Sequence, residues 1–98
     1  MKPLLKKLEL AAHQNPGWFR DSPTATFHTH VWVSPFWEDD PVDAAEVLGV
    51  ERTLFGSDWP HTEGIPEPIA YVDELAKLDE DSVRRIMSEN AYELTARL

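Results

Sequence analysis

Two parallel strands with flanking helices, an α/β arrangement in one domain over residues 1–98, are expected from three features of the chain. Residues 31 to 37 are apolar on both faces, as in a strand covered from both sides in a parallel sheet. Residues 41 to 48 carry a helical stripe that stops at Gly49. A second short apolar segment, residues 50 to 55, follows at once. Strand, short helix and strand with tight connections make a βαβ unit, which is right-handed and parallel in nearly every known case.

The chain opens on a helix over residues 2 to 13. Leu4, Leu5, Leu8, Ala11 and Ala12 recur at helical spacing and leave Lys6, Lys7, Glu9 and His13 on the wet side. Asn15-Pro16-Gly17 ends it with turn chemistry, and residues 18 to 26 read as irregular. The first strand is expected from Phe27 to Phe36, with Pro35 closing it. Asp40 then caps a helix whose first position is Pro41 and whose first turn holds Asp43. Ala44, Ala45 and Leu48 are its buried stripe. The second strand runs from Val50 to Phe55, and a Gly- and Pro-punctuated loop covers residues 56 to 66. Two helices finish the chain. Ile69, Val72 and Ala76 line the first; Val83, Met87, Asn90, Ala91 and Leu94 line the second, with Asp79 to Asp81 at its acidic start. Two parallel strands cannot cover their own edges, so the architecture reads as part of something larger.

Composition narrows the function classes. Lys and Arg number 9 against 18 Asp and Glu, a formal charge of −9. That balance repels phosphate backbones and argues against nucleic acid as a partner. The absence of a basic cluster argues likewise against an anionic membrane surface. With no cysteine, disulfides and thiolate metal ligands are excluded, and a reducing, cytoplasmic setting fits. The leucines near the N-terminus are interrupted by Lys6, Lys7 and Glu9, which is unlike a secretory signal.

The informative segment is Leu54-Phe55-Gly56-Ser57-Asp58-Trp59-Pro60-His61-Thr62-Glu63-Gly64. It sets an aspartate just past the C-terminal end of a strand, where parallel α/β folds gather ligands and catalytic groups. Gly56 is expected to allow an unusual turn and Pro60 to stiffen the exit. Ser57, Asp58, His61 and Glu63 then project around one strand mouth. The residues alone leave two readings level: such a site, or a solvated loop in which Asp58 caps a turn.

Residues 32 to 40 (Trp32-Val33-Ser34-Pro35-Phe36-Trp37-Glu38-Asp39-Asp40), Gly49 to Leu54 and the Phe55-Gly56-Ser57-Asp58-Trp59-Pro60-His61 block resemble the amidohydrolase-related family. Ile86, Asn90-Ala91 and Leu94 look like its closing helix. The resemblance covers the chain from about Phe27 onward, and the helix at 2 to 13 fits more loosely. It implies a C-terminal fragment of a (β/α)8 TIM barrel, the last two β/α units plus terminal helices, from a metal-dependent hydrolase of small organic substrates. Non-oxidative decarboxylases of the same family are the alternative. It implies for Asp58 the role of metal ligand and proton acceptor, with zinc the first expectation among divalent metals. Ser57 could orient Asp58, while His61 and Glu63 could steady the loop or meet substrate; structural support is the competing reading for each. Trp59 is expected to be a packed wall.

His28-Thr29-His30 looks like the His-x-His pair of the same superfamily, since alternate strand residues share a face. The family's pair follows its first strand, whereas this one precedes what resembles the seventh, so a metal role is not assigned. The acidic run Glu38-Asp39-Asp40 is explained by helix capping at Asp40. A complete barrel needs roughly 250 residues, and a catalytic zinc normally takes three protein ligands and a water. The expectation is therefore a truncated or split enzyme, inactive alone and not expected to hold the metal by itself. Two rivals remain. One is a non-catalytic remnant or assembly module that self-associates, or completes a partner, through exposed strand edges. The other is a minimal metal site made of His28, His30 and Asp58.

Overall fold

A computed structural model of the chain describes residues 1–36 and 39–97; the expectations that touch Trp37 and Glu38 lie outside the described residues. The chain divides into two compact units, Met1–Val31 and Trp32–Leu98.

In the first unit, α1 spans Lys2–Gln14. Asn15 closes it, donating from its backbone N–H (3.1 Å) and its Nδ2 (2.9 Å) to the Ala11 carbonyl. Leu5, Leu8, Ala11 and Ala12 are half-buried as their spacing predicts, whereas Leu4 stays exposed. A second helix, α2, spans Pro23–His30. Here the expected strand gives way. Ser22 accepts from Ala25 N–H at 3.3 Å and Pro23 takes the first turn, which is strong helix-start chemistry. That start carries Phe27, His28, Thr29 and His30 into helix against their β propensity. Glu9 secures the entry: its Oε1 accepts from Ser22 Oγ at 3.0 Å and Thr24 N–H at 3.3 Å.

The second unit opens on extended chain. Its pairing with residues around 53 is parallel, as expected, but it is a single bridge between Val33 and Thr53. Val33 N–H donates to Arg52 C=O at 2.9 Å, and Leu54 N–H to Val33 C=O at 2.8 Å. Among the described residues no strand forms, so the α/β fragment with two parallel strands is not what the chain builds. Val50–Arg52 instead coil into a 3₁₀ turn, held by Arg52 N–H to Gly49 C=O and Thr53 N–H to Val50 C=O. A ladder this short, with no third strand beside it, has little to sustain it.

Between the two segments, α3 spans Pro41–Leu48. Asp40 caps it, its Oδ1 accepting from Val42 N–H (2.7 Å) and Asp43 N–H (3.3 Å). Ala44, Ala45 and Leu48 are buried as expected, with Val42 beside them. Gly49 ends the helix at φ +91°, a backbone region that L side chains seldom enter.

The terminal helices are more broken than their pattern suggests. A 3₁₀ turn at Pro68–Ala70 runs into α4, Tyr71–Glu74. The buried residues there are Tyr71 and Leu75, while Ile69 and Val72 face water, so the expected stripe is displaced. Tyr71 causes the displacement: its hydroxyl donates to Pro35 C=O at 2.9 Å and its ring meets Phe55 edge-on at 5.1 Å. Then α5 spans Glu80–Arg84, capped by Asp79 Oδ1 on Ser82 N–H at 2.9 Å. A π turn, Arg85–Glu89, leads into α6, Asn90–Thr95. On this face Ile86 and Asn90 are fully buried, and Ala91 is exposed. Ala45, Tyr71, Leu75 and Ile86 form the core, with Phe55, Ile65 and Met87 packed against it. Full burial of side chains such as Leu75 and Ile86 contributes roughly 1.5–3 kcal/mol each.

Burial pushes the Tyr71 hydroxyl up to about 12, with the Glu74 and Asp40 carboxylates adding to the effect. An unfolded tyrosine ionises near 10, in round terms. A raised folded value means that stability is complete below the unfolded value and declines as pH climbs from there through the folded one. The decline is roughly 2–3 kcal/mol. Urea midpoints at about pH 9 and about pH 11.5 measure it, and Tyr71→Phe should flatten the difference.

Candidate functional site

The loop at residues 56–66 is stitched to itself. Ile65 N–H donates to Ser57 C=O at 2.8 Å, closing its ends, while His61 N–H reaches Asp58 C=O and Gly64 N–H reaches His61 C=O, both at 2.9 Å. Two consecutive turns therefore present one face of a small ring of backbone. Its root is also anchored. Phe55 N–H donates to Ile86 C=O at 2.9 Å, a carbonyl made available by the π turn, where Asn90 N–H bonds back to Arg85 C=O. Asn90, 1% exposed, holds the same root from its side chain: Nδ2 donates to Val50 C=O (2.7 Å) and Thr53 C=O (2.8 Å).

Asp58 occupies the left-handed region at φ +54°, where aspartate and asparagine are the most tolerant non-glycine residues. The unusual turn expected at Gly56 thus falls on Asp58 itself. Gly56 is small for another reason: a Cβ there would run into the Ser34 hydroxyl. Gly64 is needed by close approach as well, since its Cβ would lie 2.5 Å from the Asp58 carbonyl oxygen. The Trp59–Pro60 peptide is cis.

Of the four polar candidates, the structure joins two. His61 Nδ1 lies 2.9 Å from Asp58 Oδ1 and donates to it. The Asp58 side chain is 36% exposed and that of His61 is 70% exposed, so the pair contributes at most about 1 kcal/mol to folding. Ser57 is next to Asp58 but uses its Oγ to accept from Trp59 N–H at 3.3 Å. Glu63 lines a neighbouring cleft of about 600 Å³, together with Phe36, Asp40, Gly64, Glu74 and Lys77. Trp59 is 64% exposed rather than packed as a wall. His28 and His30 sit two apart on a helix, so they point to opposite sides of it rather than sharing a face; His30 Nδ1 donates to Thr26 C=O at 3.0 Å.

The carboxylate–imidazole pair can accept a proton and offers hard oxygen and nitrogen donors, the donor types a zinc site uses. Asp58 Oδ2 has no hydrogen bond among the described residues, which leaves that oxygen open to a ligand. No three His, Asp or Glu side chains among the described residues gather as a metal site. The donors present therefore suit one member of a metal's ligand set, not the whole of it. Sequence reasoning missed Asn90 as a support of the loop's root and Ser34 as the neighbour that keeps Gly56 small. An amide within an otherwise apolar helical face was the available signal for Asn90; nothing local pointed to Ser34.

The amidohydrolase family model matches residues 8–95. A solved amidohydrolase from Mycobacterium avium subsp. paratuberculosis K-10 is 41% identical, with a TM-score of 0.86 over 95% of this chain. The chain spans only 24% of that solved chain. Among curated proteins none matches. No described helix is long and apolar enough to cross a membrane.

Proposed function

The chain belongs to the amidohydrolase family, and we propose that it supplies one catalytic carboxylate, Asp58, to a metal-dependent hydrolase of small organic substrates. The observation that carries this reading is the Asp58–His61 pair on an internally bonded loop, in a segment that matches about a quarter of a solved amidohydrolase. In this reading the remaining metal ligands come from outside these residues.

A divalent metal, zinc first, supplies Lewis acidity that brings the ionisation of water towards neutral pH. The work assigned to this chain is the placing of the proton acceptor. Asp58 Oδ2 takes the proton of the attacking water, and His61 holds Oδ1 so that the carboxylate keeps its orientation. The Asn90 and Ile86 contacts fix the base of the loop, which matters because small displacements of a reacting group are costly in rate. Glu63 and the adjacent cleft offer a seat for the substrate.

The test uses the chain in a whole amidohydrolase, either a longer protein that carries it or the solved relative with this segment grafted in. Chelation should abolish hydrolysis of a panel of amides, esters and lactones, and zinc should restore it. Hydrolysis that survives complete metal removal defeats the proposal. Metal-dependent release of carbon dioxide without hydrolysis would assign the decarboxylase reaction instead. The 98-residue chain alone should bind no stoichiometric zinc; one zinc per chain would favour a self-contained site.

A further inference from the structure

On the second unit, away from the 56–66 loop, a cavity of about 360 Å³ is lined by Trp32, Glu51, Arg52, Arg85, Glu93 and Arg97. The chain has five arginines and a net charge of −9, yet three of those arginines converge here. Their charges are unevenly answered. Arg85 Nη1 pairs with Glu93 Oε1 at 3.4 Å and with Asn90 Oδ1 at the same distance. The Glu51 carboxylate is folded back over Gly49, its Oε1 2.7 Å from where a Cβ of that glycine would stand. Arg52 and Arg97 make no ion pair among the described residues; both guanidinium groups lie over the Trp32 ring, with Cζ at 3.9 Å and 5.3 Å from its centroid. Arg52 Nη1 is shut away from solvent without an acceptor.

A guanidinium kept on an aromatic face still offers its in-plane N–H edge, the geometry that takes an oxyanion through two parallel hydrogen bonds. Stacking on Trp32 also restricts two flexible side chains before any ligand arrives, so less freedom is lost on binding. Two unanswered guanidinium charges match a group carrying close to two negative charges near neutral pH, as phosphate does, better than a carboxylate with one. We propose that the Trp32–Arg52–Arg97 cavity is a binding site for a phosphate group, free or as a small monoester.

Amide and guanidinium NMR of the 98-residue chain reads this directly. Inorganic phosphate and glycerol phosphate should each produce saturable shifts at the Arg52 and Arg97 Nε–H and the Trp32 indole N–H. Acetate should need about tenfold higher concentration. Arg52→Gln should weaken phosphate about tenfold. Arg97→Gln, at an exposed position, should do the same and retains the test if the first variant fails to fold by circular dichroism. Arg84→Gln, whose guanidinium is engaged by Asp81 and Glu89, should leave affinity unchanged. Shifts that do not saturate, acetate binding as tightly as phosphate, or equal weakening by Arg84→Gln would each overturn the assignment. Saturation by glycerol phosphate but not by inorganic phosphate would restrict the site to monoesters.

Discussion

Asp58→Asn should lower kcat by about 10²–10⁴-fold in a whole amidohydrolase carrying this segment, the range associated with loss of a positioned acid or base. KM should change little, because the carboxylate is asked to act on the proton of the attacking water rather than to grip the substrate. Asparagine is the discriminating substitution here. It keeps the side-chain shape and accepts the left-handed backbone at φ +54°, so the loop should persist. Alanine would confuse the outcome by adding about 1–2 kcal/mol of backbone strain. The exposed link to His61 is too weak for its loss to unfold the unit. Steady-state kinetics beside a thermal melt separate the two effects. Native kcat in the Asp58→Asn enzyme would remove Asp58 from the chemistry.

Asn90→Leu should damage folding severely. The Asn90 Nδ2 serves the Val50 and Thr53 carbonyls at a site that is almost fully covered. An unsatisfied buried acceptor costs about 1–3 kcal/mol. Val50 C=O keeps Thr53 N–H, so the loss falls on Thr53 C=O and amounts to roughly 1–3 kcal/mol against a total stability on the order of 5–15 kcal/mol for such a chain. Asn90→Asp should be worse, since a carboxylate has no proton to donate and would face two carbonyl oxygens. Urea unfolding should show a lower midpoint with an unchanged slope. If Asn90→Leu left the chain as stable as the parent, water or repacking would have to satisfy the Thr53 carbonyl.

What could be read in advance follows a physical division. Asp40 and Gly49 act within a few residues of themselves, and their cap chemistry appears as written; Asp79, expected only as part of an acidic start, caps α5 by the same local means. Ala44, Ala45 and Leu48 likewise follow local spacing. The strands failed because a strand depends on neighbours, whereas Ser22 and Pro23 could start α2 unaided. The stripe on α4 shifted because Tyr71 answers to Pro35 and Phe55, both far away in sequence. At the candidate site, Asp58 and His61 were legible as polar neighbours on one short loop, but Ser57 was expected to orient Asp58 and the hydrogen bond runs from His61 instead. The backbone twist at Asp58 was not, since Gly56 was the more natural place for it and was committed instead to making room for Ser34.

The π turn at Arg85–Glu89 has a consequence for how this segment tolerates change. A π turn is an α-helix with one residue too many: the surplus is absorbed locally and releases the Ile86 carbonyl from the helix ladder to Phe55 N–H. Excising a solvent-facing position such as Ser88 would cost almost no length. It would let the turn close as ordinary α-helix, so that an intrahelical N–H takes the Ile86 carbonyl in place of Phe55 N–H. A side chain on the wet side of this helix can be exchanged without consequence for the 56–66 loop, whereas a change of one in the residue count there would cast off its mooring.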